Sequence, residues 1–420
     1  MKLNLLTSTI TLISTMFFLV ALVLVPTAAA KGKEKAGYQT GFVRWRAADK
    51  GFAGWSLIGV HLDAGEALEF GGDGIVEGSD PKGGYNQRNY YNGGSYWVGE
   101  ATSPEIPADF DYKEAIASWN ASTPPGTWVE VQFSAKYGTR WSKWYVLGIW
   151  ASDYSTIERH SVRLQGDSDG FVAVDTFVSS NKKETTNAFK LKIRLFSTDG
   201  SVGPVVRNAS VAYSTEIPKS ASATAGDSAP LTTLNVPQCS QMVFPPGEGG
   251  EVWCSPTSTS MVLGRWGYMP ADCEPRVRDA VEGVYDWIYD GHGNWPFNTA
   301  YAYAATQGTV QPLEGYVARF TSLAKAEEFI DAGVPVIMSI AWGKGDLTNS
   351  YIDSTNGHLL VLVGFNADGD LIVNDPASPA NGKEVQHTYL RAEFEPLWLQ
   401  ASGGTVYLIY PAGMTVPSIP

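Results

Sequence analysis

The chain has 420 residues, a length that favours two domains, and its 44% hydrophobic and 12% aromatic residues exclude a disordered chain. The net charge of −13 argues against nucleic acid or an anionic membrane as the main partner, because phosphate binding needs a basic surface. Three cysteines are too few for a disulfide scaffold, and no Cys/His spacing is typical of a zinc site, so we expect no metal or other cofactor.

The charge is distributed unevenly along the chain. Residues 1–232 carry 22 basic and 23 acidic residues, whereas residues 233–420 carry 8 and 20. This difference predicts two domains with different roles. The acidic second half would repel anionic substrates and mildly favour basic ones.

The first thirty residues have the features of a signal peptide. No charge follows Lys2 until Lys31, and the apolar run 17–25 ends in small residues at 26–30 that suit cleavage by signal peptidase. The uncharged stretch is also long enough for an uncleaved membrane anchor. The alanines favour cleavage, so we expect a secreted or surface protein without membrane contact after processing.

Residues 38–215 read as strands. Apolar and polar side chains alternate at period two in 189–195 and 129–134, and Asp-Gly turns follow at 169–170 and 199–200. Helical periodicity is nearly absent. We predict a multidomain chain whose first domain is an all-β antiparallel sandwich of accessory function.

Eight of the 14 tryptophans lie in this first domain. Exposed tryptophans on a sandwich would suggest contact with cell-wall or other carbohydrate. Tryptophans that fill a wide core between two sheets are the favoured alternative.

A small-residue, aperiodic stretch at 216–232 predicts a flexible linker. The following region, 233–415, mixes helical and strand patterns and predicts an α+β domain. Helices are expected at 274–290 and 323–332. Strands are expected at 334–341 and 405–410.

Cys254 lies at a predicted helix start, because Pro256 and the surrounding Ser and Thr residues are typical of a first helical turn. At that position the helix dipole and free amide groups favour a thiolate, which is the nucleophilic form of cysteine. Taken alone, a small buried cysteine at a helix start would be the preferred interpretation.

Two later segments favour a catalytic role for Cys254. His358 opens an apolar strand, the residues 366–370 form a hairpin turn, and Asp375 ends the returning strand. A cysteine, a histidine base and an orienting carboxylate in this order are typical of a papain-like triad. A regular hairpin would leave His358 and Asp375 out of register, so a twist or bulge must bring them together.

The second half resembles the bacteriocin-processing peptidases, a papain-like cysteine peptidase family that cleaves double-glycine leaders. The matching motifs are Val-Pro-x-x-Ser-Gln at 236–241, Trp-Cys-x-Pro-Thr at 253–257, Gly-His at 357–358 and Asn-Asp-Pro-Ala at 374–377. The resemblance implies an α+β papain-like fold over 233–415. Relatives usually have Gly where this chain has Ser255, and a side chain there would be expected to narrow the cleft.

The resemblance also implies roles for four residues. Cys254 would be the nucleophile, His358 the base, Asp375 the orienting acid, and Gln241 an oxyanion-hole donor beside the backbone N–H of Cys254. The expected function is hydrolysis of peptide or protein substrates through a thioester. A cell-wall amidase or endopeptidase with the same triad, or a non-catalytic binding protein, are the alternatives. His292, in a Gly-flanked loop, is a rival base or a cleft residue.

An odd number of cysteines in a secreted chain predicts one bridge and one free thiol. If Cys254 is the nucleophile, the bridge joins Cys239 to Cys273 and would hold Gln241 in place. The alternative is that Cys239 and Cys273 are both reduced and buried.

Overall fold

A computed structural model of the chain describes residues 37–80, 91, 93–155, 157–226, 233–268, 270–382 and 384–420. The predicted signal peptide, 1–30, lies outside the described residues, and so does the end of the predicted linker, 227–232. Residues 37–420 pack as one unit.

The first part of this unit is built from strands. They are β1 Thr40–Arg46, β2 Ser56–Ile58, β3 Val60–Leu62, β4 Leu68–Phe70, β5 Val76–Ser79, β6 Ser95–Thr102, β7 Ile106–Pro107, β8 Glu114–Ser122, β9 Thr127–Tyr137, β10 Arg140–Trp141, β11 Tyr145–Trp150, β12 Gly170–Ala173, β13 Thr176–Ser179, β14 Thr186–Ser197 and β15 Val205–Ser214. We call this segment, 40–214, the β-rich part.

The strands of the β-rich part form two antiparallel sheets. The first has the order β12-β13-β8-β15-β4-β3, with β1 also paired to β15. The second has the order β10-β9-β14-β6-β2, with β11 paired to β9, β5 to β6 and β7 to β14. Aromatic rings join the facing sheets, because Phe133 of β9 meets Phe177 of β13 at 5.1 Å and Phe189 of β14 meets Tyr213 of β15 at 5.6 Å. The predicted β-rich first half is confirmed.

The tryptophans of the β-rich part belong mainly to its core. Five of them, Trp45, Trp55, Trp119, Trp128 and Trp150, are buried. The other three are half-buried, and two of these, Trp141 and Trp144, lie under the side chains of Lys190 and Lys192 of β14. The core interpretation of the tryptophans is therefore favoured over a row of exposed rings that could stack on sugars.

The second part, residues 233–420, combines helices with one antiparallel sheet, and we call it the α+β part. Its helices are α1 Cys254–Arg265, α2 Cys273–Val284, α3 Trp295–Ala304, α4 Leu323–Asp331 and α5 Arg391–Ser402. Its strands are β16 Leu313–Arg319, β17 Val336–Trp342, β18 Thr355–Phe365, β19 Leu371–Asn374, β20 Gln386–Tyr389 and β21 Thr405–Pro411. The sheet order is β16-β21-β17-β18-β19-β20. The predicted α+β character of the second half is confirmed.

Helix α2 is shorter than its apolar spacing predicts. It ends at Val284 rather than Asp290, because the backbone of Tyr285 is extended, with φ −58° and ψ 126°. The buried carboxylate of Asp286 then accepts hydrogen bonds from the backbone N–H groups of Ile288 and Tyr289. Such a local side-chain to backbone turn competes with the helix.

Strand β8 joins the two parts, because its residues are buried on both faces. Trp119 on one face packs edge-on against Phe297 of α3, at 6.2 Å. On the other face the side-chain amide of Asn120 donates to the Gly315 carbonyl at 2.8 Å and accepts from the Gly315 N–H at 3.2 Å. The buried Arg319 adds an ion pair of 2.6 Å to Glu114. One hydrophobic core therefore continues through both parts.

The described end of the predicted linker is held against α5. The Thr224 backbone N–H donates to the Glu395 carboxylate at 2.6 Å, and Arg391 donates to the Thr224 carbonyl at 3.0 Å. In the portion of the chain that the structure describes, no helix has the length and apolar character needed to cross a membrane.

Replacing Asn120 by alanine should destabilise the whole described unit. The change leaves the buried N–H and carbonyl of Gly315 without partners, which should cost about 3 kcal/mol of unfolding free energy. Urea unfolding followed by tryptophan fluorescence measures this, and we expect one transition because the core is shared. Asn187→Ala, which removes an exposed side-chain hydrogen bond to Gly138, is the matched control. Two separate transitions, or equal stability of both variants, would contradict the shared core.

Candidate active site

Helix α1 begins at Cys254, the half-buried first residue of the helix. Pro256 falls in the first turn, where its missing N–H costs no intrahelical hydrogen bond. The hydroxyl of Ser258, one turn further on, donates to the Leu359 carbonyl at 3.0 Å. Because Leu359 follows His358 in β18, this bond fixes the start of α1 beside that histidine.

A β-bulge brings the histidine and the aspartate together. The β18–β19 ladder shifts register by one residue between Leu362 and Gly364, so Val363 is the bulged residue. In a regular hairpin His358 and Asp375 would point to opposite faces, since side chains alternate along a strand. The extra residue reverses that alternation and places both side chains on one face.

The two side chains form a short, buried hydrogen bond. Nε2 of His358 lies 2.8 Å from Oδ1 of Asp375, and the residues are 2% and 1% exposed. Oδ1 also accepts the backbone N–H of Ala377 at 2.8 Å, and Oδ2 accepts the hydroxyl of Tyr389 at 2.6 Å. With Nε2 engaged by the carboxylate, Nδ1 is the ring nitrogen left for the Cys254 thiol, whose pKa His358 influences.

The three groups shift each other's protonation. Burial would raise the pKa of the Cys254 thiol, but the hydrogen bond and charge of His358 lower it below the ordinary value. Burial would lower the pKa of His358, but the charge and hydrogen bond of Asp375, with those of Cys254, raise it to about 10. Burial would raise the pKa of the Asp375 carboxyl, whereas His358 and the bond from Tyr389 lower it. The arrangement favours a thiolate beside an imidazolium.

Gln241 lies in a short 3-10 turn, Gln241–Val243, that is tied to the loop after Asp375. Its backbone N–H donates to the Pro376 carbonyl at 2.8 Å. The residue is 3% exposed, and its side-chain carbonyl oxygen has no hydrogen-bond partner among the residues that the structure describes. Position 250 requires glycine, because a Cβ there would lie only 2.4 Å from the backbone carbonyl oxygen of Gln241.

The structure contains the Cys239–Cys273 disulfide, with a Cα–Cα distance of 5.5 Å, and Cys254 is the free cysteine. The predicted bridge is therefore present rather than two reduced thiols. It links the residue two positions before Gln241 to the first residue of α2.

The sequence predicts that the side chain of Ser255 narrows the cleft, but this side chain points toward β21. It is 1% exposed, and its hydroxyl lies 3.0 Å from the hydroxyl of Tyr407 in β21. The second residue of α1 faces the sheet rather than the solvent, so the serine replaces glycine without entering the space beside Cys254.

Among the described residues, His292 forms no ion pair with a carboxylate. Its ring packs edge-on against Trp253, the residue before Cys254, at 6.2 Å, and in a tilted arrangement against Tyr285 at 5.1 Å. Nδ1 is buried without a hydrogen-bond partner in the described part of the chain, and burial lowers the pKa of this histidine to about 4. The contacts place His292 beside the start of α1, whereas His358 pairs with the carboxylate of Asp375.

Tyr389 and Trp342 are site residues without a sequence motif. Tyr389, on β20, donates to Asp375, and the ring of Trp342 meets the His358 ring edge-on at 5.6 Å. Both contacts depend on strand order and register, which no local pattern encodes. Within the described ranges no group of His, Cys, Asp and Glu side chains is arranged to hold a metal ion.

Replacing His358 by alanine should raise the pKa of the Cys254 thiol, because the effect of burial then acts unopposed. We expect alkylation of the wild type by iodoacetamide to remain fast into mildly acidic pH. In the variant, the pH at which the alkylation rate reaches half of its maximum should lie above the ordinary thiol pKa of about 8.5. The labelling rate is measured against pH, and the bridge leaves Cys254 as the reactive thiol.

His61→Ala is the control for this measurement, because His61 is an exposed histidine of β3 that pairs with Glu69 at 3.3 Å. Its profile should match that of the wild type. An unchanged profile in the His358 variant would show that the imidazole does not activate the thiol.

Removing the bridge by replacing both Cys239 and Cys273 with serine should lower the unfolding free energy by about 3–4 kcal/mol, given a sequence separation of 34 residues. Mass mapping without reduction should recover one linked peptide pair from the wild type. A linked pair that contains Cys254 would contradict both the bridge and the role of the free thiol.

Comparisons with known proteins match both parts of the chain to one peptidase family. The family model described as "Peptidase C39 N-terminal domain" matches residues 41–214, and the one described as "Peptidase_C39 like family" matches residues 233–406. No curated protein matches the chain.

One solved structure is described as "Structural basis for the promiscuous specificity of the carbohydrate-binding modules from the beta-sandwich super family". It is 10% identical over 41% of this chain, with a TM-score of 0.19, and the match spans 55% of that chain. Such a low TM-score adds nothing on fold or ligand. The two family matches cover most of the described residues, and the second names a peptidase over the segment that contains Cys254, His358 and Asp375. The chain belongs to the C39-like peptidase family.

Proposed function

We propose that the protein is a secreted cysteine peptidase with a papain-like catalytic domain that hydrolyses peptide bonds through a Cys254–His358–Asp375 triad. The observation that carries the proposal is the buried His358–Asp375 pair on β18 and β19, against which Ser258 holds the helix that begins at Cys254. A cysteine at a helix start, held beside a histidine that a carboxylate orients, suits thiol acyl transfer.

In the first step the sulfur of Cys254 attacks the carbonyl carbon of the substrate and a carbon–sulfur bond forms. The negative charge that develops on the carbonyl oxygen would be met by the Cys254 backbone N–H and the side-chain amide of Gln241. His358 then gives its proton to the leaving nitrogen as the carbon–nitrogen bond breaks. An amine is released and a thioester remains on Cys254.

In the second step His358, now neutral, takes a proton from water, and the resulting hydroxide equivalent attacks the thioester carbon. The carbon–sulfur bond breaks, the acid product leaves, and the proton on His358 restores the starting pair with the thiolate. Asp375 keeps Nε2 protonated throughout, so that Nδ1 faces the sulfur.

Two observations support secretion. The first thirty residues have the pattern of a signal peptide, and the Cys239–Cys273 disulfide suits an oxidising compartment. A cell-wall amidase with the same triad would use identical chemistry on a different amide, so the substrate has to be found by experiment.

Hydrolysis should depend on each proposed group to a different degree. Cys254→Ala and His358→Ala should abolish cleavage without unfolding, whereas Asp375→Asn should keep part of the activity, since an amide oxygen can still orient the imidazole. Gln241→Ala should lower the rate on the order of 10²-fold, typical for one oxyanion donor. Cleavage of a peptide library by purified protein, read by mass spectrometry, measures all four.

Gln400→Ala, which changes an exposed glutamine on α5, is the matched control and should leave cleavage unchanged. Full activity of the His358 variant would overturn the triad. Cleavage of peptidoglycan fragments with no cleavage of the peptide library would replace the peptidase proposal by the amidase alternative.

A further inference from the structure

The segment 285–294, which connects α2 to α3, borders the proposed nucleophile. The His292 ring packs against Trp253, the residue before Cys254, at a centroid distance of 6.2 Å. The half-buried Tyr289 belongs to the same segment. The segment therefore lies against the start of α1, where the proposed nucleophile is located.

The β-rich part holds this segment through Ser161. The Ser161 backbone N–H donates to Oδ1 of Asp286 at 3.0 Å, and its hydroxyl lies 3.3 Å from the same oxygen. Asp286 is fully buried, and its other oxygen accepts from Asn294 at 2.9 Å. One carboxylate thus joins both ends of the segment to the β-rich part.

Asp175 provides a second attachment, at the start of α3. It follows Val174, which has a positive φ of 60° in the turn between β12 and β13. Oδ2 of Asp175 accepts the backbone N–H of Trp295, the first residue of α3, at 2.7 Å, and Oδ1 accepts the Thr176 hydroxyl at 2.9 Å. The residue is 5% exposed. A carboxylate at this point satisfies a free helix N–H and suits the helix dipole.

The triad is held differently. Ser258 ties α1 to β18, and Asp375 receives its hydrogen bonds from His358, Ala377 and Tyr389, all within the α+β part. No hydrogen bond in the described residues links Asp175 or Ser161 directly to Cys254, His358 or Asp375. Thiol activation and placement of the 285–294 segment therefore have separate supports.

We propose that the β-rich part is a positioning element of the substrate cleft, in which Ser161 and Asp175 fix the 285–294 segment and so place His292 against Trp253, next to Cys254. This inference rests on the proposed peptidase function. It assigns the β-rich part to substrate binding within the same active site. Asp175 and Ser161 are positioning residues that act through Asp286 and the start of α3.

Asp175→Ala tests the proposal on the full-length chain. Loss of the bond to Trp295 should raise KM for a cleaved peptide by about tenfold or more, with kcat changed far less, because ground-state placement is lost and the triad is kept. The rate at which iodoacetamide labels Cys254 should stay at the wild-type value. Asp175→Asn should restore most of the wild-type KM, since its amide oxygen can still accept the Trp295 N–H.

Asp111→Ala is the matched control. Asp111 also accepts one backbone N–H and one hydroxyl, both from Thr186, at 2.8 and 2.9 Å, but that partner lies within the β-rich part. The KM of the Asp111→Ala variant should equal that of the wild type.

Amide hydrogen exchange adds a readout independent of hydrolysis, since exchange at 285–295 should rise in Asp175→Ala and not in Asp111→Ala.

The outcomes separate the two proposals. Equal KM and equal exchange in Asp175→Ala and Asp111→Ala would overturn the positioning role while leaving the peptidase intact. Loss of Cys254 labelling together with the rise in KM would also overturn it, because the segment would then support the triad itself. A wild type that cleaves no peptide would refute the peptidase, and the exchange comparison would still decide whether Asp175 holds the segment.

Discussion

The hydrogen bond between His358 and Asp375 is the interaction on which the remainder of the site depends. Burying an imidazolium and a carboxylate is costly unless each charge is paired and hydrogen-bonded. Here three donors converge on Asp375, from His358, the backbone of Ala377 and the hydroxyl of Tyr389. With the carboxylate satisfied, the imidazole keeps its charge and stabilises a thiolate at Cys254, although burial alone would favour the neutral forms of all three groups.

Backbone geometry rather than side-chain reach brings these groups together. The bulge at Val363 turns His358 and Asp375 to one face of the sheet, and the Val363 carbonyl accepts the N–H of Leu234 at 2.7 Å, so the start of the α+β part is attached to the bulge. Two buried hydroxyl groups of the helix that carries Cys254 fix its position, because Ser258 donates to the Leu359 carbonyl of β18 and Thr259 donates to Asn298 of α3. A small displacement of α1 relative to β18 would separate the thiol of Cys254 from the imidazole of His358.

The β-rich part shares a hydrophobic core with the α+β part, in addition to its proposed role in positioning the substrate cleft. Strand β8 contacts α3 on one face and β16 on the other, and a strand buried on both faces carries few charges. The polar exceptions, Ser118 and Asn120, satisfy backbone groups of β16. This shared core explains why a chain with two family matches folds as one described unit, and it gives the β-rich part a direct way to position residues 285–294.

The sequence by itself determined the features that depend on local patterns. Period-two alternation predicts β9 and β14, the Ser/Thr/Pro segment predicts the helix at Cys254, and the odd cysteine count with Cys254 as nucleophile predicts the Cys239–Cys273 bridge, because each depends on neighbouring residues or on composition. Tertiary structure alone decided the bulge at Val363, the partnership of Tyr389 with Asp375 and the burial of Ser255. Each of these depends on a strand register or on a contact between residues distant in sequence, and packing energies across the whole core select among registers that local sequence leaves equivalent.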